Sequence, residues 1–136
     1  MRIALDAMGG DLGSEELIAG AVLAAREAGV EVVLVGDSEK LEAHLTAFEL
    51  EAGTRKLISI AHSSEVIGMN EHPVEAIRKK KDASVMVAFD LIRQGEAAAV
   101  VSAGNSGATL AAGVRKLGRL RGVSRPGIAS TFPTLK

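Results

Sequence analysis

The sequence AAAVVSAGNSG, residues 97–107, joins a strand-like segment to a helix-like one. Its apolar first half contains two adjacent valines, a composition typical of a buried strand, and its second half consists of the small and polar residues of a turn. A helical pattern follows at once, with Leu110, Val114 and Leu117 on one face. A strand that passes through a short glycine-containing turn into a helix is the repeating unit of parallel α/β folds.

The same alternation of strand-like and helix-like segments extends over the whole chain. Strands are predicted at residues 3–7, 32–35, 57–61, 98–102 and 127–132. Helical patterns separate them, which indicates βα units and a parallel sheet. No helix follows the fifth predicted strand, although a parallel sheet normally has both faces covered. We therefore expect an incomplete domain, either the front part of a larger one or a chain whose missing layer comes from an assembly partner.

Capping residues predict where the helices begin and end. A serine or aspartate before an apolar stripe favours a helix start, proline suits the first helical position, and glycine favours a stop. The expected starts are Ser14, Asp37 or Ser38, Pro73 and Ser84, and the glycines expected at or beyond helix ends are Gly29, Gly53, Gly95 and Gly118.

The composition excludes several classes of function. A chain of 136 residues, 47% of them hydrophobic, suits one domain with an aliphatic core. It has three Phe and no Trp or Tyr, which argues against base-stacking nucleic-acid surfaces, and its net charge of −1 attracts no polyanion globally. The absence of cysteine excludes disulfides, thiolate zinc sites and a cysteine nucleophile. No spacing of His with Asp or Glu indicates a metal site.

The N-terminal residues 1–6 have the pattern of a strand rather than of a signal peptide. No apolar run reaches the roughly 18 residues that a membrane-spanning helix needs. We therefore expect a soluble, cytoplasmic protein.

The turn after the fourth predicted strand has the chemistry of an anion site. Ser102, Asn105 and Ser106 offer hydroxyl and amide groups, and Gly104 and Gly107 let a ligand approach the backbone. The N–H groups that open the next helix bind phosphate or another oxyanion in many folds. The alternative is that the glycines serve the geometry of the turn alone.

A second candidate site follows the first strand, at the sheet edge where ligands bind in parallel sheets. Asp6 and Asp11 flank a turn that contains the adjacent Gly9 and Gly10. The two carboxylates could orient a substrate hydroxyl, coordinate Mg²⁺ or restrain a cationic side chain. The alternative is a tight turn in which Asp11 is a local cap.

The segment between the third and fourth strands carries titratable and basic residues. His72, before Pro73, is a candidate general acid or base, or else a helix cap or surface group. Lys79, Lys80 and Lys81, which follow Arg78, could neutralise a polyanionic ligand or form a solvated helix face. No Gly-x-Ser-x-Gly elbow is present, so catalysis would depend on positioning and charge stabilisation rather than on an acyl-enzyme.

Several segments together resemble one family. They are IALDAMGGD (residues 3–11), VGD (35–37), HSSEVI (62–67), MNEHP (69–73), AIRKKKDAS (76–84) and VVSAGNSGA (100–108). In their order and spacing they are similar to the start of the bacterial PlsX family of phosphate acyltransferases, over essentially the whole chain.

This resemblance implies an acyltransferase that moves a fatty acyl group from acyl carrier protein to inorganic phosphate for phospholipid synthesis. It implies a three-layer αβα sandwich similar to isocitrate and isopropylmalate dehydrogenases, with residues 1–136 as the N-terminal part of a single domain. It further implies a homodimer, cytoplasmic or peripherally membrane-associated, without a redox cofactor. Two other functions stay open, which are a phosphotransacetylase-like enzyme that uses acyl-CoA and a non-catalytic binding fragment.

The resemblance and the turn chemistry give a set of expected site residues. Asp6, His72 and Asn105 are the expected catalytic residues. The residues expected to bind phosphate or the rest of the substrate are Gly9, Gly10, Lys79, Lys80, Lys81, Ser102, Gly104, Ser106 and Gly107.

Three departures from the family pattern qualify these expectations. Residues 12–14 read Leu-Gly-Ser where the family commonly has His-Ala-Pro, and Asn70 stands where an Asp is usual. Family members are also more than twice as long, which implies that part of the active site lies outside these residues.

Overall fold

The computed structural model describes residues 1–133, in which four parallel strands form one sheet. The strands are β1 (Arg2–Asp6), β2 (Glu31–Gly36), β3 (Ile58–His62) and β4 (Ala99–Ser102). The helices are α1 (Ser14–Ala28), α2 (Ser38–Thr46), α3 (Ala52–Lys56), α4 (Pro73–Lys79), α5 (Ser84–Arg93) and α6 (Ser106–Leu117). The strand order is β3-β2-β1-β4, so β1 and β4 are neighbours although five helices and two strands separate them in sequence.

Helices cover both faces of the sheet, which confirms the predicted αβα architecture. On one face, Leu5 of β1 and Leu34 of β2 pack against the buried Ile18 of α1. On the other, Ala4 and Val35 pack against α5. Alternate residues of each strand thus enter different cores, as the two-residue period of a strand requires.

Several helix limits follow the residues that predicted them, among them Pro73 as the first residue of α4 and Gly118 at the end of α6. Gly29 takes the left-handed conformation, with φ 61°, and ends α1. Asp37 caps α2, because its Oδ1 accepts hydrogen bonds from the backbone N–H groups of Glu39 and Lys40 at 3.2 and 3.3 Å. The bond from Lys40 is the largest cause of the lowered pKa of Asp37.

Other capping roles were predicted wrongly. Ser14 and Ser84 are first helical residues rather than caps, with Gly13 and Ala83 before them. The Ser14 hydroxyl lies 3.0 Å from Nδ1 of His44 instead, a contact that sequence spacing does not reveal. The second helix ends at Thr46, and Gly53 belongs to the short, unpredicted α3 rather than to a terminating turn.

The fifth predicted strand is also wrong, since residues 127–132 are exposed and unpaired. Ile128 is 60% exposed and Phe132 79%. A strand beside β4 would need apolar cover on both faces. Within residues 1–133 the α1-side face of β4 is bare, and its Val101 is 52% exposed. Residues 127–132 therefore have no buried surface to join.

Candidate active site

The carboxyl ends of β1 and β4 bring Asp6 and Ser102 together as register partners. The Ser102 hydroxyl donates to Oδ2 of Asp6 at 2.7 Å and accepts from the Gly104 N–H at 3.1 Å. The other oxygen of Asp6 accepts from the N–H of Met8 at 3.3 Å. Asp6 is only 4% exposed. The buried carboxylate therefore connects the loop after β1 to the loop after β4.

The glycines of these two loops lie against each other. A Cβ on Gly9 would stand 2.9 Å from both the N and the Cα of Gly104, and 2.9 Å from Oδ2 of Asp6. Gly10 has φ 99°, a conformation that favours glycine, and faces Ala103. Loop-to-loop contact alone accounts for glycine at these positions, so their binding of phosphate stays a prediction.

Asn105 joins α6 to the loop before α4. Its Oδ1 caps α6 by accepting from the Ala108 N–H at 3.0 Å. Its Nδ2 donates to the carbonyl oxygens of Met69 and Glu71 at 3.1 and 3.0 Å and lies 3.5 Å from that of Gly68. Both ends of the amide are thus engaged with protein, so Asn105 shapes the site through these contacts.

The start of α4 lies against the first turn of α6. A Cβ on Gly107 would stand 2.7 Å from Cγ of Pro73, so only glycine permits this approach. His72 lies between Pro73 and Glu71, whose carbonyl Asn105 binds. His72 is exposed and makes no capping bond to α4. His72 is therefore an exposed residue that directly precedes the contact of Pro73 with the first turn of α6.

The first turn of α6 retains backbone donors. Within residues 1–133, the N–H groups of Ser106 and Gly107 donate no hydrogen bond to a protein atom. The Ser106 side chain is exposed beside them. Two N–H groups and a hydroxyl at a helix N-terminus, where the helix dipole is positive, suit an oxyanion.

The three predicted lysines do not form one cluster. Lys80 binds Oε1 of Glu71 at 2.5 Å and the carbonyl of Val66 at 2.7 Å. Lys79 forms a long, exposed pair with Glu75 at 3.9 Å. Lys81 is exposed in the turn after α4. Lys80 thus holds the loop before α4, and a role for it in phosphate binding remains a prediction.

Glu71 organises this loop, a role that the sequence did not reveal. Besides Lys80, its carboxylate accepts the Gly68 N–H at 2.6 Å. The bond from Lys80, followed by that from Gly68, lowers the pKa of Glu71. The contact between Glu71 and Lys80 crosses a loop and a short helix, so it does not have the i,i+3 or i,i+4 spacing by which helical ion pairs are predicted. The sequence shows only that an acidic residue precedes His72.

The lowered pKa of Glu71 predicts an acid-dependent loss of stability. A carboxyl whose pKa is lower in the folded than in the unfolded state stabilises the fold above its unfolded pKa of about 4.3. This contribution is lost as the pH falls through the folded value. We expect Glu71→Gln to reduce the fall in unfolding free energy between neutral pH and about pH 3, measured by urea denaturation at each pH. Lys80→Met should act in the same direction, and identical pH dependence in all three proteins would contradict the prediction.

Removal of the Ser102 hydroxyl should destabilise the fold. Ser102→Ala leaves Oδ2 of the buried Asp6 without its donor, which costs about 1–3 kcal/mol of unfolding free energy. Ser59→Ala, at an exposed position of β3, is the matched control and should change the value by less than about 0.5 kcal/mol. Equal effects of the two substitutions in urea denaturation would show that the Asp6–Ser102 contact is unimportant.

A cleft of about 420 Å³ begins at this site and follows α6. Its polar end is formed by Ser102, Gly104 and Ser106, and its walls further along include Phe89 and Leu110. The cleft therefore continues the polar turn with an apolar surface.

The second candidate site has no metal-binding geometry. Asp6 binds Ser102 and Met8, whereas Asp11 is exposed. Across residues 1–133, no three His, Asp or Glu side chains come together as a set of metal ligands.

Comparisons with known proteins agree with this arrangement of motifs. A family described as "Fatty acid synthesis protein" matches residues 1–136. The chain is 54% identical over 136 residues to a phosphate acyltransferase of Geobacter sulfurreducens and 54% identical to one of Desulforamulus reducens, covering 38% and 40% of those proteins. It is 48% identical over 134 residues to the phosphate acyltransferase of Gloeothece citriformis, 98% of this chain and 37% of that one. The chain thus spans about two-fifths of the length of these relatives, and it belongs to the fatty acid synthesis protein family.

Proposed function

We propose that residues 1–136 are the N-terminal part of the single α/β domain of a phosphate acyltransferase. This enzyme transfers a fatty acyl group from acyl carrier protein to inorganic phosphate and forms an acyl phosphate for phospholipid synthesis. The names and similarity of the relatives support the class of reaction. The observation that carries the proposal is the first turn of α6, where free backbone donors adjoin an apolar cleft.

The reaction requires an anion to be held beside a thioester. A phosphate oxygen attacks the carbonyl carbon, a C–O bond forms, the C–S bond breaks, and the thiol leaves with the proton that phosphate gives up. Positioning the two substrates and stabilising the developing oxyanion are the main tasks of such a site. The N–H groups of Ser106 and Gly107, with the Ser106 hydroxyl, bind phosphate in this mechanism.

His72 and Asp6 have different tasks in the proposed site. His72 is exposed and directly precedes Pro73, which lies against Gly107 of α6, and its imidazole serves as the group that transfers the proton from phosphate to the leaving thiol. Asp6 is buried and fixes Ser102, so it acts by holding the two loops in place. Of the lysines, Lys79 and Lys81 raise the local concentration of anions, whereas Lys80 acts through Glu71.

The apolar cleft along α6 accommodates the acyl chain. Its polar end lies at Gly104 and Ser106, where the thioester carbonyl must meet phosphate. The apolar part of the cleft, which would contact the methylene groups of the acyl chain, is lined by Phe89, Leu110 and Val114. Each methylene group contributes about 0.8 kcal/mol of binding free energy when it is buried. The acyl carbonyl and the phosphate thus meet at one end of the cleft.

Location and assembly are part of the same proposal. The enzyme acts in the cytoplasm as a homodimer and associates peripherally with the membrane where its product is used. Residues 1–133 contain no helix both long and apolar enough to cross a bilayer.

The test uses a chimera in which these 136 residues replace the matching segment of the Geobacter sulfurreducens relative. Acyl phosphate, trapped as the hydroxamate with hydroxylamine, is measured with acyl carrier protein or CoA as the acyl donor. We expect phosphate-dependent product from the carrier-bound donor, at a rate comparable to that of the unmodified relative. Product from acyl-CoA alone would favour a phosphotransacetylase-like enzyme. Absence of product from a folded chimera would favour a non-catalytic binding fragment.

A further inference from the structure

The charges of this chain are unevenly distributed. Residues 97–136 contain six Lys and Arg and no Asp or Glu, so all 17 acidic residues and ten of the 16 basic ones lie in residues 1–96. The near-neutral net charge is therefore the sum of a basic segment, residues 97–136, and an acidic remainder, residues 1–96. Such asymmetry is typical of a surface that binds a partner of opposite charge.

The fold gathers part of this basic segment around one groove. A groove of about 680 Å³ lies between α4 and α6 and the chain that follows α6. Its rim carries four exposed arginines, which are Arg78, Arg115, Arg119 and Arg125. Within residues 1–133 none of the four forms an ion pair with a carboxylate, and no acidic residue lines the groove.

The floor of the groove is apolar. Ile77 of α4 and Leu110 and Val114 of α6 line it, and Val74 beside them is 44% exposed. An apolar strip between two helices that is bordered by unpaired cations complements an amphipathic helix with acidic flanks. A lipid surface is planar and would leave the floor of such a groove unfilled.

We propose that this arginine-rimmed groove docks an acidic amphipathic helix of the carrier protein that delivers the acyl group, an inference that rests on the proposed function. The arginines attract and orient the acidic helix, whose apolar residues cover the floor. Such rim charges act mainly on the rate of association and on specificity, with a strong dependence on salt.

The position of the groove fits delivery to the site. Gly107, in the first turn of α6, lines the end of the groove next to the phosphate donors. Arg115 lies eight residues beyond Gly107 along α6, about 12 Å at the helical rise of 1.5 Å per residue. A carrier seated on the arginines therefore has its thioester arm directed along α6 toward Ser106.

The test is charge reversal in the chimera, with Arg115→Glu and Arg125→Glu combined. Arg119 is left unchanged because it donates to the Ser124 carbonyl at 2.6 Å and holds the turn. The matched control combines Arg26→Glu and Lys56→Glu, two exposed cations on α1 and α3. Steady-state kinetics are measured with the acylated carrier and with the same acyl group on free pantetheine.

We expect the groove variant to raise the KM for the acylated carrier at least tenfold, with the kcat and the KM values for phosphate and acyl-pantetheine unchanged. The control should match the unmodified chimera. An equal rise with both donors, or no rise, would overturn the proposal. Loss of binding to phosphatidylglycerol vesicles by the groove variant, with unchanged carrier kinetics, would also overturn the proposal. The groove would then bind lipid rather than the carrier.

Failure of the proposed function gives a different result, because the unmodified chimera would then form no acyl phosphate from any donor. In that case the groove is tested by fluorescence anisotropy, with labelled carrier protein and the 136-residue chain at low salt. Binding that the groove variant loses and the control retains would support the docking surface. Absence of binding by the unmodified chain would overturn it.

Discussion

Gly9→Ala should lower the free energy of unfolding by about 2–3 kcal/mol or prevent folding. The added methyl group would meet the backbone of Gly104 and the Asp6 carboxylate at 2.9 Å. These neighbours cannot move aside independently, because Ser102 bonds both of them. Urea denaturation followed by circular dichroism measures the effect.

Gly20→Ala is the matched control for this substitution. Gly20 is an exposed position inside α1, and its added Cβ would have no neighbour within 4 Å. Alanine should therefore stabilise the protein by about 0.5–1 kcal/mol through helix propensity. If Gly9→Ala proved as harmless as Gly20→Ala, the close packing of the two loops would be wrong.

Asn105→Ala should reduce the kcat/KM for phosphate in the chimera about 100-fold, the cost expected from a displacement of about 1 Å at a catalytic site. The substitution removes the cap of α6 and the donors to the carbonyls of Met69 and Glu71. It therefore releases the first turn of α6 from the loop that carries His72. Loss of the cap should also lower the unfolding free energy by about 1–2 kcal/mol.

Asn105→Ser separates the two contributions of Asn105. Serine is a good N-cap, so the stability of α6 should largely return, whereas the contacts with the loop before α4 stay lost. We expect nearly normal unfolding free energy and a kcat/KM that is still about tenfold low. Normal activity in both variants, measured by hydroxamate formation, would mean that the position of this loop does not matter to the reaction.

The sequence predicted the sheet well where local signals and burial agreed. The limits of β1, β2 and β4 differ from the predicted ones by no more than one residue at either end. Each of these strands is a short apolar run that a glycine-containing or polar turn separates from a helical pattern. Gly29 and Asp37 marked helix limits correctly because their effects are local to the backbone.

The errors have a common physical origin in contacts between distant residues. Ser14 has the composition of a cap, but its hydroxyl lies beside His44, 30 residues away. Residues 127–132 have the composition of a strand, but the described part of the chain has no layer to cover them beside β4.

The sequence predicted which residues form the candidate site, but it did not predict the contacts that they make. The sequence identified Asp6, Ser102 and Asn105 by residue type and place after a strand. It could not reveal that Asn105 is occupied by protein carbonyls or that Glu71 binds Lys80, since these contacts depend on how α4 lies against α6. The donors left for the proposed phosphate are therefore the Ser106 hydroxyl and the backbone N–H groups of Ser106 and Gly107.

A phosphate titration of the ¹⁵N-labelled chain, followed by backbone amide shifts, tests binding at the start of α6 most directly. Ionic strength is held constant with chloride so that nonspecific screening cancels. The amides of Ser106 and Gly107 should shift in a saturable manner and more than any others. Saturable shifts confined to the arginine-rimmed groove or to residues 78–81, with Ser106 and Gly107 unmoved, would contradict the proposed mechanism.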